Sequence, residues 1–196
     1  MDKFKNVCVY CGSGTGRGST YTTAALQLAE YFVAEGYRLV NGGGSIGLMG
    51  VMTNRILELG GEAIGVIPMH LKEREVAHLG MTELIVVPDM HTRKLTMVNL
   101  SDAFISLPGG FGTLDELFET LTWSQLHLHK KPIGMLNVDG FFDPLLQMVG
   151  KMSEEKFLRK KARALLRVAG NIPDLFEQLY QPSAYLSQKW DPGSED

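Results

Sequence analysis

Short apolar runs alternate along the chain with longer stretches in which apolar positions recur every three to four residues. The runs VCVYC (7–11), YRLVN (37–41), EAIGVI (62–67), ELIVVP (83–88), DAFISL (102–107) and PIGMLN (132–137) predict strands, and the segments 20–35, 47–59, 91–100, 113–128, 142–152, 157–168 and 172–180 predict helices. Strands separated by helices imply βαβ crossovers, so the expected fold is α/β: a Rossmann-like, doubly wound parallel sheet with helices on both faces. The strands are rich in Val, Ile and Leu and hardly alternate with polar residues, as expected where both faces are covered. No internal repeat or low-complexity linker interrupts the pattern, which predicts one domain over 1–196 with an ordered core at about 5–182 and a disordered tail, DPGSED (191–196).

Composition agrees with this picture and removes several function classes. A chain of 196 residues, 44% hydrophobic and 21% charged, can bury a core without help from metal or disulfides. The net charge of -3 and the absence of any run of five like charges argue against a nucleic-acid partner. The N-terminal stretch MDKFKNVCVYCGS has no apolar h-region, and no stretch reaches the roughly 18 consecutive apolar residues of a membrane span, so a soluble cytoplasmic protein is expected. The two cysteines form a C-x-x-C, Cys8 and Cys11, but within a strand they point to opposite faces, which suits small apolar core residues better than a redox pair. Two cysteines cannot make a four-ligand zinc site, and the five histidines form no H-E-x-x-H.

Ligands of open α/β sheets bind beyond the carboxyl ends of the strands, and three glycine-rich turns fall there: CGSGTGRGS (11–19), NGGGSIGLMG (41–50) and PGGFGT (108–113). Each feeds a helix start, where bare N–H groups and the positive end of the helix dipole favour an anion. Three such turns on one sheet edge point to a phosphate. Gly42-x-Gly44-x-x-Gly47 formally matches a dinucleotide fingerprint, but it follows the second strand, and Glu62 opens the next strand instead of ending it, where a ribose-binding acid belongs. No G-x-x-x-x-G-K-[ST] is present.

Two further segments carry chemistry. In MHTRKLTMVNL (90–100), Met90, Met97, Val98 and Leu100 define an apolar arc, and both Arg93 and Lys94 fall inside it; cations on an inward face mark a functional site or a buried ion pair. In ISLPGGFGTLDELF (105–118), Thr113 and Glu116 fit a capping box with Thr113 as N-cap, which explains Glu116 without any function. A glycine turn built for close approach by a ligand offers the other reading: a carboxylate one turn into the helix lies near the sugar of a bound sugar phosphate, where it can stabilise an oxocarbenium-like centre or activate water.

PGGFGTLDE (108–116) matches the signature PGGxGTxxE, and with MHTRK, VCVYCGS and NGGGSIGLMG it resembles the Lonely Guy (LOG) family, the cytokinin riboside 5′-monophosphate phosphoribohydrolases, whose members were long labelled lysine decarboxylases. The resemblance runs from about residue 5 to 180, through TWSQLHLHKKPIGMLNVDGFFDPLL. It implies hydrolysis of the N-glycosidic bond of a purine nucleoside 5′-monophosphate, AMP or its N6-prenylated form, to free base and ribose 5-phosphate, by a homodimer that needs no metal or other cofactor. Carried over by residue, the resemblance makes Arg93 and Glu116 catalytic. It assigns Ser13, Gly43, Gly44, Glu75, Met90, Lys94, Gly109, Gly110, Gly112, Thr113, Asp115 and Thr122 to the substrate site. Two positions depart from many members: Asn41 stands where Tyr is common, which should remove a ring from the mouth of the site, and Asp115 where plant members have Glu. Three other functions use the same residues: a module that binds a phosphorylated ligand without turning it over, a general AMP nucleosidase, and a decarboxylase holding pyridoxal phosphate on Lys94. A pocket of the nucleotide type argues against the last.

Overall fold

In the computed structural model, which describes residues 3–72 and 77–187, strands and helices follow one another along the chain. The strands are β1 (Asn6–Tyr10), β2 (Arg38–Asn41), β3 (Ala63–Pro68), β4 (Glu83–Val87), β5 (Ala103–Ser106), β6 (Ile133–Leu136) and β7 (Leu166–Ala169). The helices are α1 (Thr20–Glu35), α2 (Gly47–Glu58), α3 (Met69–Lys72), α4 (Met90–Leu100), α5 (Phe111–Gln125), α6 (Asp143–Glu154), α7 (Lys160–Arg163) and α8 (Ile172–Tyr180). Among the described residues all pairings between these strands are parallel, and the order is β4-β3-β2-β1-β5-β6-β7. This is the doubly wound α/β sheet expected from the sequence.

Successive strand residues enter different cores, as the two-residue period of a strand requires. Val7, Val9 and Leu39 join Leu28, Phe32, Met52, Ile56 and Phe176 on the face covered by α1, α2 and α8. Cys8, Tyr10 and Val40 join Met97, Val98, Leu117 and Phe142 on the face of α4, α5 and α6. Leu28 and Phe32 are fully buried, and each side chain of this kind contributes about 1.5–3 kcal/mol. Cys8 and Cys11, both buried and unpaired, lie on opposite faces of the sheet.

From β1 the chain winds outward through β2, β3 and β4, then returns to place β5 on the other side of β1. Strand order therefore reverses between β1 and β5, and the loops leaving these strands border the crevice where ligands of such sheets bind.

The predicted helix over 157–168 is a correction. Only Lys160–Arg163 is helical there, and Leu166–Ala169 forms the edge strand β7 beside β6. Helix α3 was not expected. Glu75 and the tail 191–196 lie outside the described residues.

Candidate active site

The three glycine turns meet. The loop after β1 donates Gly12 N–H to Pro108 O of the loop after β5, at 3.0 Å, and accepts on Gly12 O, also at 3.0 Å, the N–H of Leu48 in the first turn of α2, where the second glycine turn ends. Gly47 has φ 65°, and a Cβ there would come within 2.2 Å of the Ser13 carbonyl carbon and 2.6 Å of Gly12 O. Gly109 is equally confined, since its Cβ would lie 2.1 Å from Thr113 Oγ1 and 2.8 Å from Gly12 N. Glycine at these two positions brings the backbones into contact. Ser13 is exposed on the rim of this seam.

The loops are not equivalent as anion sites. In the second, Gly43 N–H is taken by the Asn41 side chain at 2.9 Å and Gly44 N–H by Met49 Sδ at 3.1 Å. These amides are spent inside the protein, which removes the dinucleotide-fingerprint reading. In the third, the first intrahelical bond of α5 runs from Leu114 N–H to Gly110 O, so the amides of Phe111, Gly112 and Thr113 precede it at the helix start. A Cβ on Gly110 or Gly112 would meet nothing within 4 Å. Internal packing does not explain these two glycines, and the space beside them is open.

Helix α5 starts earlier than the sequence suggested. Its N-cap is Gly110, Thr113 is its third residue and is buried, and its first turn contains no acid. The capping-box reading is thus corrected: Glu116 does not reach back to a cap but accepts from Arg93.

That contact is the centre of the site. Arg93 Nη1 donates to Glu116 Oε1 at 2.9 Å, with the two side chains 9% and 8% exposed. Arg93 Nε donates to Val66 O at 3.0 Å, anchoring the guanidinium to the end of β3. Burial raises the Glu116 pKa above the usual 4.5; the Arg93 charge works against this rise without cancelling it. Arg93 enters from α4, one turn after Asp89 caps that helix by accepting Thr92 N–H at 2.8 Å. Met90, half-buried, opens the same helix.

Lys94 forms a second clamp between α4 and α5, with Nζ 3.1 Å from both Asp115 and Glu119. Burial alone would lower the lysine pKa, but the bonds to Glu119 and Asp115 outweigh it and raise the value. Lys94 is held as an ammonium ion, the opposite of what Schiff-base chemistry asks of a lysine. Glu119 escaped the sequence reading, although it had a signal: an acid three residues from Glu116 and four from Asp115 on one helix calls for a nearby cation.

Other expected residues lie farther off. Thr122 is exposed, its hydroxyl donates to Phe118 O at 2.7 Å, and it lies about 9 Å along α5 from Glu116 on a different face. It is not brought to the ion pair within one chain. Asn41 is also a correction: it is buried beneath the second loop, not at the mouth of the site, and its Nδ2 donates to Thr53 Oγ1 at 2.9 Å. Burial pushes the Cys8 and Cys11 thiols well above their ordinary range, which leaves them unreactive. Among the described residues no three His, Cys, Asp or Glu side chains converge as a metal site requires.

Residues 49–179 match the family model described as "Possible lysine decarboxylase". The chain is 46% identical over 177 residues to the cytokinin riboside 5'-monophosphate phosphoribohydrolase LOG2 of Arabidopsis thaliana, an alignment covering 90% of this chain and 83% of that one. It is 45% identical over 191 residues to the cytokinin riboside 5'-monophosphate phosphoribohydrolase LOG of Oryza sativa subsp. japonica, covering 96% and 79%. Among solved structures, a molybdenum cofactor binding protein from Rippkaea orientalis superposes with TM-score 0.66 at 23% identity, covering 91% of this chain and 96% of that one. The Moco carrier protein from Chlamydomonas reinhardtii superposes with TM-score 0.65 at 19% identity, covering 90% and 98%. At these identities the two structures share the fold.

Proposed function

The chain belongs to the LOG family of cytokinin riboside 5'-monophosphate phosphoribohydrolases, and from that premise we propose that it hydrolyses the N-glycosidic bond of N6-prenylated adenosine 5′-monophosphate, releasing free base and ribose 5-phosphate. The observation that carries this reading is the buried Arg93–Glu116 pair beside the open start of α5. The amides of Phe111, Gly112 and Thr113 suit the 5′-phosphate, assisted by Ser13 on the rim. Binding energy from this non-reacting group then holds the sugar in place. Glu116 follows Thr113 by three residues, about 4.5 Å along the helix, a separation that suits the ribose of a nucleotide held by its phosphate. There the carboxylate stabilises positive charge at C1′ or activates the attacking water, while the C1′–N bond breaks and its electron pair leaves with the base. Arg93 offsets part of the cost that burial puts on ionising Glu116 and orients the nucleotide. Lys94, Asp115 and Met90 border the same space, and Gly43, Gly44 and Gly109 shape its walls.

We infer a homodimer from the apolar residues that α4 and α5 leave exposed, Leu95 and Phe111, with Leu126 and Leu128 just beyond α5. Thr122 lies on this side of α5, so pairing these faces is the route by which it would reach a site. Size-exclusion chromatography tests the assembly. No described helix is long and apolar enough to cross a membrane. The two free thiols suit a cytoplasmic location, which fractionation would check.

The activity is tested by incubating the purified protein with N6-isopentenyl-AMP and with AMP in the presence of a chelator. Chromatography should find free base and ribose 5-phosphate in equal amounts, with the prenylated nucleotide preferred. Faster cleavage of AMP would make the enzyme a general nucleosidase. Binding without cleavage would make it a carrier.

A further inference from the structure

Arg93 needs a place for its guanidinium, and the second glycine loop supplies one. A Cβ built on Gly42 would lie 1.6 Å from Arg93 Nη2, 2.8 Å from Cζ and 3.3 Å from Nε. The three nearest atoms all belong to this one side chain. Gly42 has an ordinary backbone conformation, without the positive φ of Gly43 or Gly47, so its own geometry accepts an alanine. The tightest constraint at position 42 therefore comes from Arg93.

The loop around Gly42 is fixed from below. Asn41 accepts Gly43 N–H through Oδ1 and donates through Nδ2 to Thr53 on α2, while Gly43 O accepts His78 N–H at 2.8 Å. Gly65 of β3 lies directly under it, its Cβ position 2.8 Å from Gly43 Cα. Across the gap, the guanidinium is the end of a flexible chain held by Val66 O and Glu116. If the two collide, Arg93 is the partner that moves.

We propose that Gly42 is a positioning residue for the reaction: its missing side chain is the space that seats the Arg93 guanidinium against Glu116, so the second glycine loop serves as the wall of the catalytic pair and not as a phosphate cradle. This inference rests on the phosphoribohydrolase reading for its kinetic consequence, but its structural content can be read without turnover.

The test is Gly42→Ala, followed by 13C NMR titration of the Glu116 carboxyl, with kcat and KM on N6-isopentenyl-AMP. With Arg93 displaced, Glu116 should titrate at higher pH than in the wild type, and kcat should fall on the order of 10²-fold with little change in KM. An unchanged Glu116 titration would overturn the proposal whatever the activity. A wild type that cleaves no nucleotide would instead overturn the functional reading and leave the titration to decide the role of Gly42. If Gly42→Ala folds poorly, the same substitution in an Arg93→Ala background decides the matter. Unfolding no easier than that of Arg93→Ala alone supports the proposal, and an undiminished loss of stability refutes it.

Discussion

Arg93 and Glu116 face each other across 2.9 Å at the junction of α4 and α5, both more than nine-tenths withdrawn from solvent. Burial favours the neutral form of Glu116 more than Arg93 favours the charged one. Ionising this carboxylate therefore costs more than it would in water, an arrangement common at functional sites.

The first prediction separates stability from function. Because the neutral amide of Gln leaves the buried Arg93 guanidinium without a counter-charge, Glu116→Gln should unfold at a lower temperature than the wild type at neutral pH. Its turnover should fall on the order of 10³-fold while nucleotide binding persists. Calorimetry and single-turnover assays check the two halves.

The second concerns pH. In the proposed reaction Glu116 acts as a carboxylate, and its pKa lies above the ordinary 4.5, so kcat should decline on the acid side with a midpoint above that value. The linkage has the matching sign: with the folded pKa raised, the folding stability contributed by Glu116 is present below about 4.5 and is lost as pH rises through the folded pKa. Glu116→Gln should abolish that loss in urea titrations across the same window.

The third uses two glycines of the seam. Alanine at Gly47 must adopt φ near 65° and collide with the Ser13 and Gly12 backbone, so Gly47→Ala should destabilise by about 1–3 kcal/mol or more. Alanine at Gly110 meets nothing, so Gly110→Ala should cost far less stability than Gly47→Ala, losing only the N-cap preference for Gly, and instead crowd the incoming phosphate, raising Kd for the nucleotide about tenfold, or ~1.4 kcal/mol. Paired melting and binding curves test both.

The fourth is structural. His129 Nδ1 accepts Lys131 N–H at 3.2 Å, which makes Nε2 the donor to Thr120 O at 3.0 Å. The ring is neutral, and burial lowers its pKa below 6.5. A depressed histidine pKa contributes stability that is fully present above 6.5 and lost as pH falls through the folded value. Denaturant titrations at falling pH should show His129→Gln losing less stability over this window than the wild type.

Much of this was legible in the sequence where local and global preferences agree. The first six strands are apolar runs bounded by Gly, Pro or polar residues, and each was found within two residues of its ends. Arg93 gave itself away as a cation on an apolar arc. Strand β7 did not, because LRVA follows KKARAL with its helical spacing, and an edge strand buries too little to show an apolar run of its own. Thr113 misled for a related reason: the Thr–Glu spacing of a capping box is also the spacing of two residues on one helix face, and Gly110 had already started the helix. Glu119 and Gly42 act through Lys94 and Arg93, so their roles depend on contacts between elements that no local pattern encodes.

The most direct test of the whole account is base release from N6-isopentenyl-AMP by the wild type, Arg93→Ala and Glu116→Ala side by side, with nucleotide binding measured on each. The account predicts that the wild type liberates free base while both variants bind the nucleotide and release almost none. Base release by Glu116→Ala at the wild-type rate would contradict it, because the buried pair at the start of α5 would then be a structural clamp and the chemistry would lie elsewhere.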